Sequence, residues 1–262
     1  MARLMKSIPR NVKKWLRKSV SPQMPVFAPE GLKRLGCHEG YATEQPFPHL
    51  VLDGLFDQDM LRAIVREFPD KNNDSVEAHN DGVYVRLKHN TTWETEIGGH
   101  TRDFFAEMAS PRVLLALERI TGIAGLMPDP YLFGGGLHFT GSGGKLAVHA
   151  DFNRHPKLML DRRLNLLLYL NEGWSEENQG WLELWDREMR HCVTKVAPLF
   201  NRTVVFSTTS FSFHGQPEPI LGPPSLVRRS IALYYYTNGR PSDETIEVDH
   251  STLWQARPTH GY

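Results

Sequence analysis

Apolar and polar positions follow different patterns in the two halves of the chain. From about residue 131 onward, short apolar runs with a period of two, or with continuous hydrophobicity, recur between glycine, asparagine, aspartate and proline. Residues two positions apart project from the same face of a strand, so this pattern is typical of strands with a buried face. About eight such runs predict an all-β core, folded as a double-sheet jelly roll or a related barrel.

The first half of the chain carries a helical pattern, which adds α elements to the predicted core. A helix capped near Asp57 is predicted. Its buried stripe comprises Met60, Leu61, Ile64, Val65 and Phe68. Two further helices are predicted over residues 101–123, the second beginning at Ser110-Pro111, because proline suits the first helical position. The polar stretch 70–98 has weak strand character at 83–88 and is predicted to be a loop near a site.

These patterns predict a basic tail over residues 1–30 and a single domain over 31–262. Within the domain we expect a helical layer at about 55–122 and the jelly-roll core at about 130–238. The first twenty residues carry seven lysines and arginines and no acid. They are interpreted either as a solvated tail or as a short helix that docks on a membrane surface or a partner.

Composition narrows the classes of function. The 262 residues hold 30 Lys and Arg against 30 Asp and Glu, so the chain offers no strong field for nucleic acid. A run of about 18 apolar residues is absent from the sequence, which predicts no transmembrane segment. The two cysteines, Cys37 and Cys192, lack metal-type spacing. They are interpreted as packed thiols in a reducing, cytoplasmic location, and the alternative is a single disulfide.

A histidine and an aspartate stand one residue apart at the end of an apolar run. His149 and Asp151 would project from the same face of the strand, so the pair can supply two ligands to one metal ion. Two histidines and one carboxylate are the ligand set of non-haem Fe(II) sites that activate oxygen. Taken alone the tripeptide is weak, because solvated polar pairs at strand ends arise often by chance.

Further residues strengthen the metal interpretation. His214 follows another apolar strand and precedes a glycine, so it also lies at a strand end and is the candidate third ligand. Arg228 begins the next apolar strand, where a guanidinium can bind a carboxylate through two hydrogen bonds. The ordered set of two histidines, an aspartate and an arginine is far more specific than the tripeptide.

With these residues the sequence resembles the Fe(II)- and 2-oxoglutarate-dependent oxygenases of the prolyl-hydroxylase type, such as the catalytic domain of the prolyl 4-hydroxylase alpha subunit. The resemblance covers roughly residues 45–238. It implies a double-stranded β-helix of the jelly-roll or cupin-like type, flanked by N-terminal helices. It also implies that His149, Asp151 and His214 are the catalytic iron ligands.

The resemblance also implies the residues that bind the co-substrate. Arg228, Ser230 and Tyr169 match positions that bind the far carboxylate of 2-oxoglutarate, and Asn165 shares the strand face of Tyr169. Arg229 is expected to point outward. Many relatives have a tyrosine on the strand before the His-x-Asp motif, where this chain has His138, interpreted either as a co-substrate contact or as a core histidine.

The implied activity is hydroxylation of an unactivated C–H bond in a small molecule or a tethered amino-acid residue. Such an enzyme uses Fe(II), 2-oxoglutarate and O₂, with ascorbate as an additional reductant, and releases succinate and CO₂. The alternatives are a jelly-roll binding protein that keeps the metal site without turnover, and a hydroxylase of prolyl residues in a protein. Desaturation or epimerisation, and the oligomeric state, are left open by the sequence.

Four polar residues next to the motif have two interpretations each. Asn153 and His155 would either orient Asp151 or touch substrate, or they would only form the turn after the strand. Arg162 and Arg163 precede the next apolar strand. They would be solvated residues at its start or residues that attract an anionic substrate.

Overall fold

The computed structural model describes residues 24–92, 94–241 and 249–262. The helices are α1 (Gly31–Gly36), α2 (Gln58–Arg66), α3 (Gly99–Met108) and α4 (Pro111–Thr121). The strands are β1 (His49–Asp53), β2 (Val76–His79), β3 (Val85–Thr91), β4 (Met127–Pro128), β5 (Gly136–Ala150), β6 (Asp161–Tyr169), β7 (Leu182–Trp185), β8 (Cys192–Val196), β9 (Arg202–Ser207), β10 (His214–Gln216), β11 (Val227–Thr237) and β12 (Leu253–Trp254). Short 3₁₀ turns lie at Tyr41–Thr43 and Glu176–Asn178.

Local capping signals in the sequence define the helices. The Asp57 carboxylate accepts hydrogen bonds from the amides of Asp59 and Met60, which satisfies the free N–H groups at the start of α2. Helix α4 begins at Pro111 and ends before Gly122, whose φ of 73° suits glycine. The predicted helices are therefore confirmed.

The strands pair antiparallel in the order β1, β9, β6, β11, β5, β10, β7 and β8, and curl into a nearly closed barrel. Strand β3 also pairs with β5, and β2 pairs with β3. Residues 70–98, predicted as a loop, thus contribute a hairpin to the sheet. The predicted strand character at 83–88 is confirmed by β3, and the hairpin does lie at the cavity. The loop prediction was wrong for β2, because the hairpin's inward residues are polar and polarity alone resembles a loop. The predicted all-β jelly roll with helical additions is confirmed.

Side chains along β6 alternate between two faces, one that packs in the main core and one that faces the barrel interior. Leu164, Leu166 and Leu168 are fully buried and pack in the main core, together with residues of α2, α3 and α4. Asn165 and Tyr169 project from the opposite face and line a cavity inside the barrel. The helices thus cover one face of the sheet, and the other face is free to carry polar groups.

Strand β11 follows the same rule. Ile231 and Leu233 belong to the helix-covered core. Arg228 and Ser230 line the barrel cavity. The guanidinium of Arg229 lies over the Phe68 ring, 5.8 Å from its centroid, on the other face.

Three sequence interpretations concern other parts of the chain. The basic N-terminal segment lies mostly outside the described residues, which begin at residue 24. Cys37 and Cys192 form no disulfide, but Cys37 is exposed, so its interpretation as a packed thiol was wrong. Among the described residues, none of the helices has the length and apolar character needed to span a bilayer.

Candidate metal centre and co-substrate pocket

The three predicted metal ligands meet where β5 and β10 pair. His149 lies near the end of β5, directly opposite His214, the first residue of β10. A side chain on Gly215 would lie within 3 Å of the β5 backbone, so glycine at this position allows the strands to approach. The two imidazole rings stand 4.6 Å apart between centroids, and Asp151 follows β5 by one residue.

The ligand atoms of these residues face one another. His149 Nε2 lies 3.5 Å from Asp151 Oδ1, and His214 Nε2 lies 3.5 Å from Asp151 Oδ2. One ligand atom from each of the three residues lies within 4.8 Å of the others. Among the described residues, this is the group of histidines and carboxylates that could hold a metal ion.

Hydrogen bonds select the histidine tautomers. The Nδ1 atom of His149 donates to the carbonyl of Ala147 at 2.8 Å, and that of His214 donates to the carbonyl of Ser212 at 2.9 Å. A carbonyl can only accept, so Nδ1 carries the proton and the Nε2 lone pair is free for a metal. Burial lowers the pKa of His214 to about 4, which keeps its ring neutral.

Two residues of β6 bind the Asp151 carboxylate and fix its orientation. Its Oδ2 atom accepts hydrogen bonds from Arg162 at 3.0 Å and from Asn165 Nδ2 at 2.7 Å. Burial alone would raise the pKa of Asp151, but Arg162 and the two histidines outweigh burial and hold the pKa well below its usual range. The Asp151 carboxylate is therefore ionised and has a fixed orientation.

Arg162 is not a solvated residue, as one interpretation of the sequence had it. Only 1% of the residue is exposed. Its guanidinium carbon lies 3.5 Å from the ring centroid of Tyr234 and 4.4 Å from that of Phe152. Aromatic faces and the Asp151 carboxylate together compensate for burying the charge. Asn165, predicted at the co-substrate, directs its amide to Asp151 and Arg162.

A second polar cluster lies deeper in the barrel. Arg228 donates from Nε to the carbonyl of Gly180 at 2.8 Å, and its guanidinium carbon lies 4.8 Å from the Tyr169 ring centroid. Within the described part of the chain, no acid pairs with Arg228, and the buried Tyr169 hydroxyl has no hydrogen-bond partner. Ser230 faces the same space. An unpaired cation beside an unsatisfied hydroxyl is suited to a carboxylate ligand.

The two clusters share one cavity of about 530 Å³. It contains His149, Asp151 and His214 at one side and Arg228 with Tyr169 at another. A volume of this size suits a small ligand together with part of a larger one.

Residues 135–236 match the family model of the 2OG-Fe(II) oxygenase superfamily. Over these residues, which include strands β5 to β11 apart from the end of β11, the chain is similar to this superfamily. Its members use Fe(II) and 2-oxoglutarate, so the predicted enzyme class and these two requirements are confirmed. No curated protein matches the oxygenase in sequence.

Solved structures support the fold of this oxygenase. A prolyl-4-hydroxylase from Pseudomonas putida matches with 18% identity and a TM-score of 0.52, over 79% of this chain and 97% of that one. A prolyl hydroxylase from Trichoplax adhaerens, solved with a peptide fragment of the hypoxia inducible factor oxygen degradation domain, matches with 16% identity and a TM-score of 0.53, over 88% and 94%. At such identities the likeness concerns the fold.

The oxygenase site fits both implied groups. Two neutral imidazoles and one carboxylate are the donor set that suits Fe(II) with open positions. The unpaired Arg228 and the unsatisfied Tyr169 hydroxyl fit a carboxylate of 2-oxoglutarate. His138 also lines the cavity, where its Nε2 donates to the carbonyl of Gly134 at 3.1 Å. Its contact with the co-substrate stays a prediction.

Asn153 and His155 build the turn after the motif. The side-chain oxygen of Asn153 accepts a hydrogen bond from the backbone amide of His250, and the backbone amide of Asn153 donates to the His250 carbonyl. His155 is completely buried, accepts at Nδ1 from the amides of Lys157 and Leu158, and donates from Nε2 to an Asp129 oxygen at 3.3 Å. Of the two interpretations, the turn is the one that these bonds support.

Trp254 and Lys88 are among the cavity residues that sequence reasoning missed. Trp254 lies in β12, which pairs with β5 beside His149, and its ring stands 5.1 Å from the His149 ring. Lys88 enters from β3. Neither residue lies in a recognisable motif, and only the inward alternation of Lys88 with Asn90 could have indicated that β3 faces a site.

Proposed function

We propose that this oxygenase is a hydroxylase in which His149, Asp151 and His214 hold the iron and Arg228 holds the far carboxylate of 2-oxoglutarate. The observation that carries the proposal is the convergence of three ligand atoms within 4.8 Å of one another. The same cavity contains Arg228, which has no acid partner among the residues that the structure describes. When bound, iron with 2-oxoglutarate and O₂ supplies oxidation of a C–H bond to an alcohol, with release of succinate and CO₂.

The chain's own residues orient these groups. Bonds from the imidazole Nδ1 atoms to carbonyls stop the two rings from turning, which keeps each Nε2 directed at the metal. Arg162 and Asn165 keep Asp151 ionised and fixed through its Oδ2 atom. Arg228, Tyr169 and Ser230 supply donors for the far carboxylate, which sets the depth at which the co-substrate lies.

The substrate in this proposal is a small molecule or a tethered residue, because the candidate metal ligands line a cavity of about 530 Å³. A prolyl residue of a polypeptide is the second candidate, suggested by the peptide complex of the Trichoplax enzyme. We further propose one oxygenase domain over residues 31–262 and a reducing, cytoplasmic location, in line with the free thiols.

Spectroscopy under anaerobic conditions tests the proposal without a known substrate. Adding 2-oxoglutarate to the Fe(II)-loaded protein is expected to produce a visible charge-transfer band, and admitting O₂ is expected to give slow succinate formation that ascorbate sustains. His214→Ala should produce neither signal. Succinate formation by His214→Ala at the wild-type rate would contradict the metal assignment, and a wild type without either signal would favour a binding protein.

A further inference from the structure

The β2–β3 hairpin forms a polar wall of the cavity. Its inward residues Glu77, His79, Lys88 and Asn90 all line the cavity. His79 donates from Nε2 to the Asn90 Oδ1 at 2.6 Å, and Asn90 donates to Glu77 at 3.3 Å. Three of the four inward residues are therefore linked to one another, and Lys88 stands apart.

Lys88 lies in a row of inward residues with Arg228. In the sheet, Thr140 of β5 pairs with Arg228 on one side and with Lys88 on the other. Residues paired directly across antiparallel strands project from the same face. Two strand spacings separate the backbones of Lys88 and Arg228 by about 10 Å, so the two cations define neighbouring but distinct positions.

The Lys88 ammonium makes no hydrogen bond or ion pair within the described part of the chain. The nearby acids are engaged elsewhere, since Asp151 is bonded to Arg162 and Asn165, and Glu77 accepts from Asn90. Burial lowers the pKa of Lys88 to about 8, although Asp151 and Glu77 oppose the shift. Lys88 is half-buried, so its ammonium has lost part of its hydration without gaining a bonded partner, and a ligand's negative charge would compensate for that loss.

The co-substrate does not account for this cation. In the proposed site the near carboxylate of 2-oxoglutarate binds the metal, and its far carboxylate has Arg228, Tyr169 and Ser230. Cationic side chains of the cavity are Lys88, Lys157, Arg162 and Arg228, against the acids Glu77 and Asp151. Arg162 is paired with Asp151, and Arg228 is assigned to 2-oxoglutarate. The Lys157 ammonium lies 4.9 Å from the Tyr131 ring centroid, and Glu77 is bonded to Asn90. Among the described residues, Lys88 is therefore the cation of the cavity that has no bonded partner.

We propose that Lys88 binds an anionic group of the substrate, a carboxylate or a phosphate, so that the oxygenase acts on anionic molecules. The proposal deepens the function proposed above and rests on it. The other side of the cavity carries aromatic residues, among them Phe133, Tyr131 and Tyr234. The substrate's carbon skeleton would lie against these rings, and its anionic group would face the hairpin.

Calorimetry with two simple anions tests the proposal. Inorganic phosphate and acetate are titrated separately into the Ni(II)-loaded protein with saturating 2-oxoglutarate, so that the two arms distinguish a phosphate subsite from a carboxylate subsite. One anion is expected to bind the wild type. A charge-assisted hydrogen bond contributes about 1.5–3 kcal/mol, so Lys88→Met should weaken binding by about 10-fold or more. Lys88→Arg should retain binding.

Arg86→Met is the matched control. Arg86 lies two residues earlier on β3, is exposed and does not line the cavity, so removing its charge should leave anion binding unchanged. Equal weakening in Arg86→Met and Lys88→Met would overturn the proposal, since it would indicate a general charge effect. A wild type that binds neither anion would also overturn it.

The same titrations separate this inference from the proposed function. If Lys88→Met weakens 2-oxoglutarate binding and leaves anion binding intact, Lys88 belongs to the co-substrate and the inference fails while the oxygenase assignment stands. If 2-oxoglutarate does not bind the metal-loaded wild type, the proposed function fails, and anion binding measured without 2-oxoglutarate still reports on Lys88.

Matched substrate pairs test the consequence for turnover. Succinate formation is measured with carboxylates against their amides, and with sugar phosphates against the parent sugars. Only anionic members are expected to stimulate turnover, and Lys88→Met should remove the preference while the KM for 2-oxoglutarate stays unchanged. Stimulation by neutral members to the same extent would overturn the proposal.

Discussion

The metal side and the hairpin side of the cavity treat their polar groups in opposite ways. At the metal side, each of the three candidate ligands has a hydrogen bond to a group behind it: His149 to Ala147, His214 to Ser212, and Asp151 to β6. At the hairpin side, the Lys88 ammonium has no such bond within the described residues. The side chains at the metal side are therefore oriented before any metal or substrate binds, whereas the Lys88 charge at the hairpin side is not yet compensated.

This difference reflects the different roles of residues that hold a metal ion and residues that bind substrate. A metal ligand must be held at a fixed angle and in one protonation state, so its remaining polar atoms are used to orient it. A residue that recognises substrate needs a free donor, and it loses part of its burial cost only when the substrate binds. The contrast can be tested by variants on each side.

Loss of a metal ligand should have the largest effect. His149→Ala, Asp151→Ala or His214→Ala each removes one of three donors and should lower Fe(II) affinity and succinate formation by about 100-fold or more, since changes behind a ligand alone cost 10- to 100-fold. Equilibrium dialysis and succinate assays measure the effects, and circular dichroism verifies folding. Retained activity in any one variant would remove that residue from the site.

Arg228→Ala should have the next largest effect, on co-substrate binding. Removing one partner of a desolvated charge pair costs roughly 2 kcal/mol or more, so the KM for 2-oxoglutarate should rise by about 30-fold or more. Arg229→Ala should leave this KM unchanged, because Arg229 lies on the opposite face over Phe68. The reverse result would show that Arg229 is the clamp.

Arg162→Met should weaken metal binding by about 10- to 100-fold, because Asp151 loses a bond that orients it. Arg163→Met removes a neighbouring buried arginine and should preserve metal affinity. If Arg162→Met does not fold, Asn165→Ala removes the other bond to Asp151 and should show the same direction of change. Wild-type metal affinity in both variants would show that these bonds do not orient the ligand.

The smallest predicted effect is a pH dependence of anion binding at Lys88. The pKa of Lys88 is lowered to about 8, so the free ammonium is present below that pH and lost above it. Acetate stays ionised over this range, and its affinity should fall several-fold between pH 7 and about pH 10. A bound anion raises the pKa, which moves the midpoint upward. Lys88→Arg should flatten the profile, and a wild-type profile that is already flat would contradict the assignment.

Other groups around Lys88 do not produce the same profile. The charged or titratable groups that interact with it are Asp151, Glu77, Arg228, His79, His89 and His138. Burial lowers the pKa values of the three histidines from their ordinary 6.5, so the rings are neutral throughout the range. The pKa of Asp151 is held well below its usual range, so its charge does not change there either.

Short-range patterns account for what could be predicted. The two-residue period along β11 was sufficient to assign Arg228 and Ser230 to one face and Arg229 to the other, because the pleat of a strand imposes that alternation. The His-x-Asp spacing follows the same geometry. Capping residues likewise indicated where α2 and α4 begin, since they satisfy amides within one turn.

Long-range pairing decided the rest. Arg162 reaches Asp151 only because β6 crosses behind the end of β5, and nothing in its local sequence distinguishes it from a solvated arginine. Lys88 reaches the cavity only because β3 pairs with β5, and Trp254 reaches it only because β12 also pairs with β5. The sequence by itself determined the ligand types, their order and the faces of their strands, whereas the tertiary structure decided which distant residues surround them.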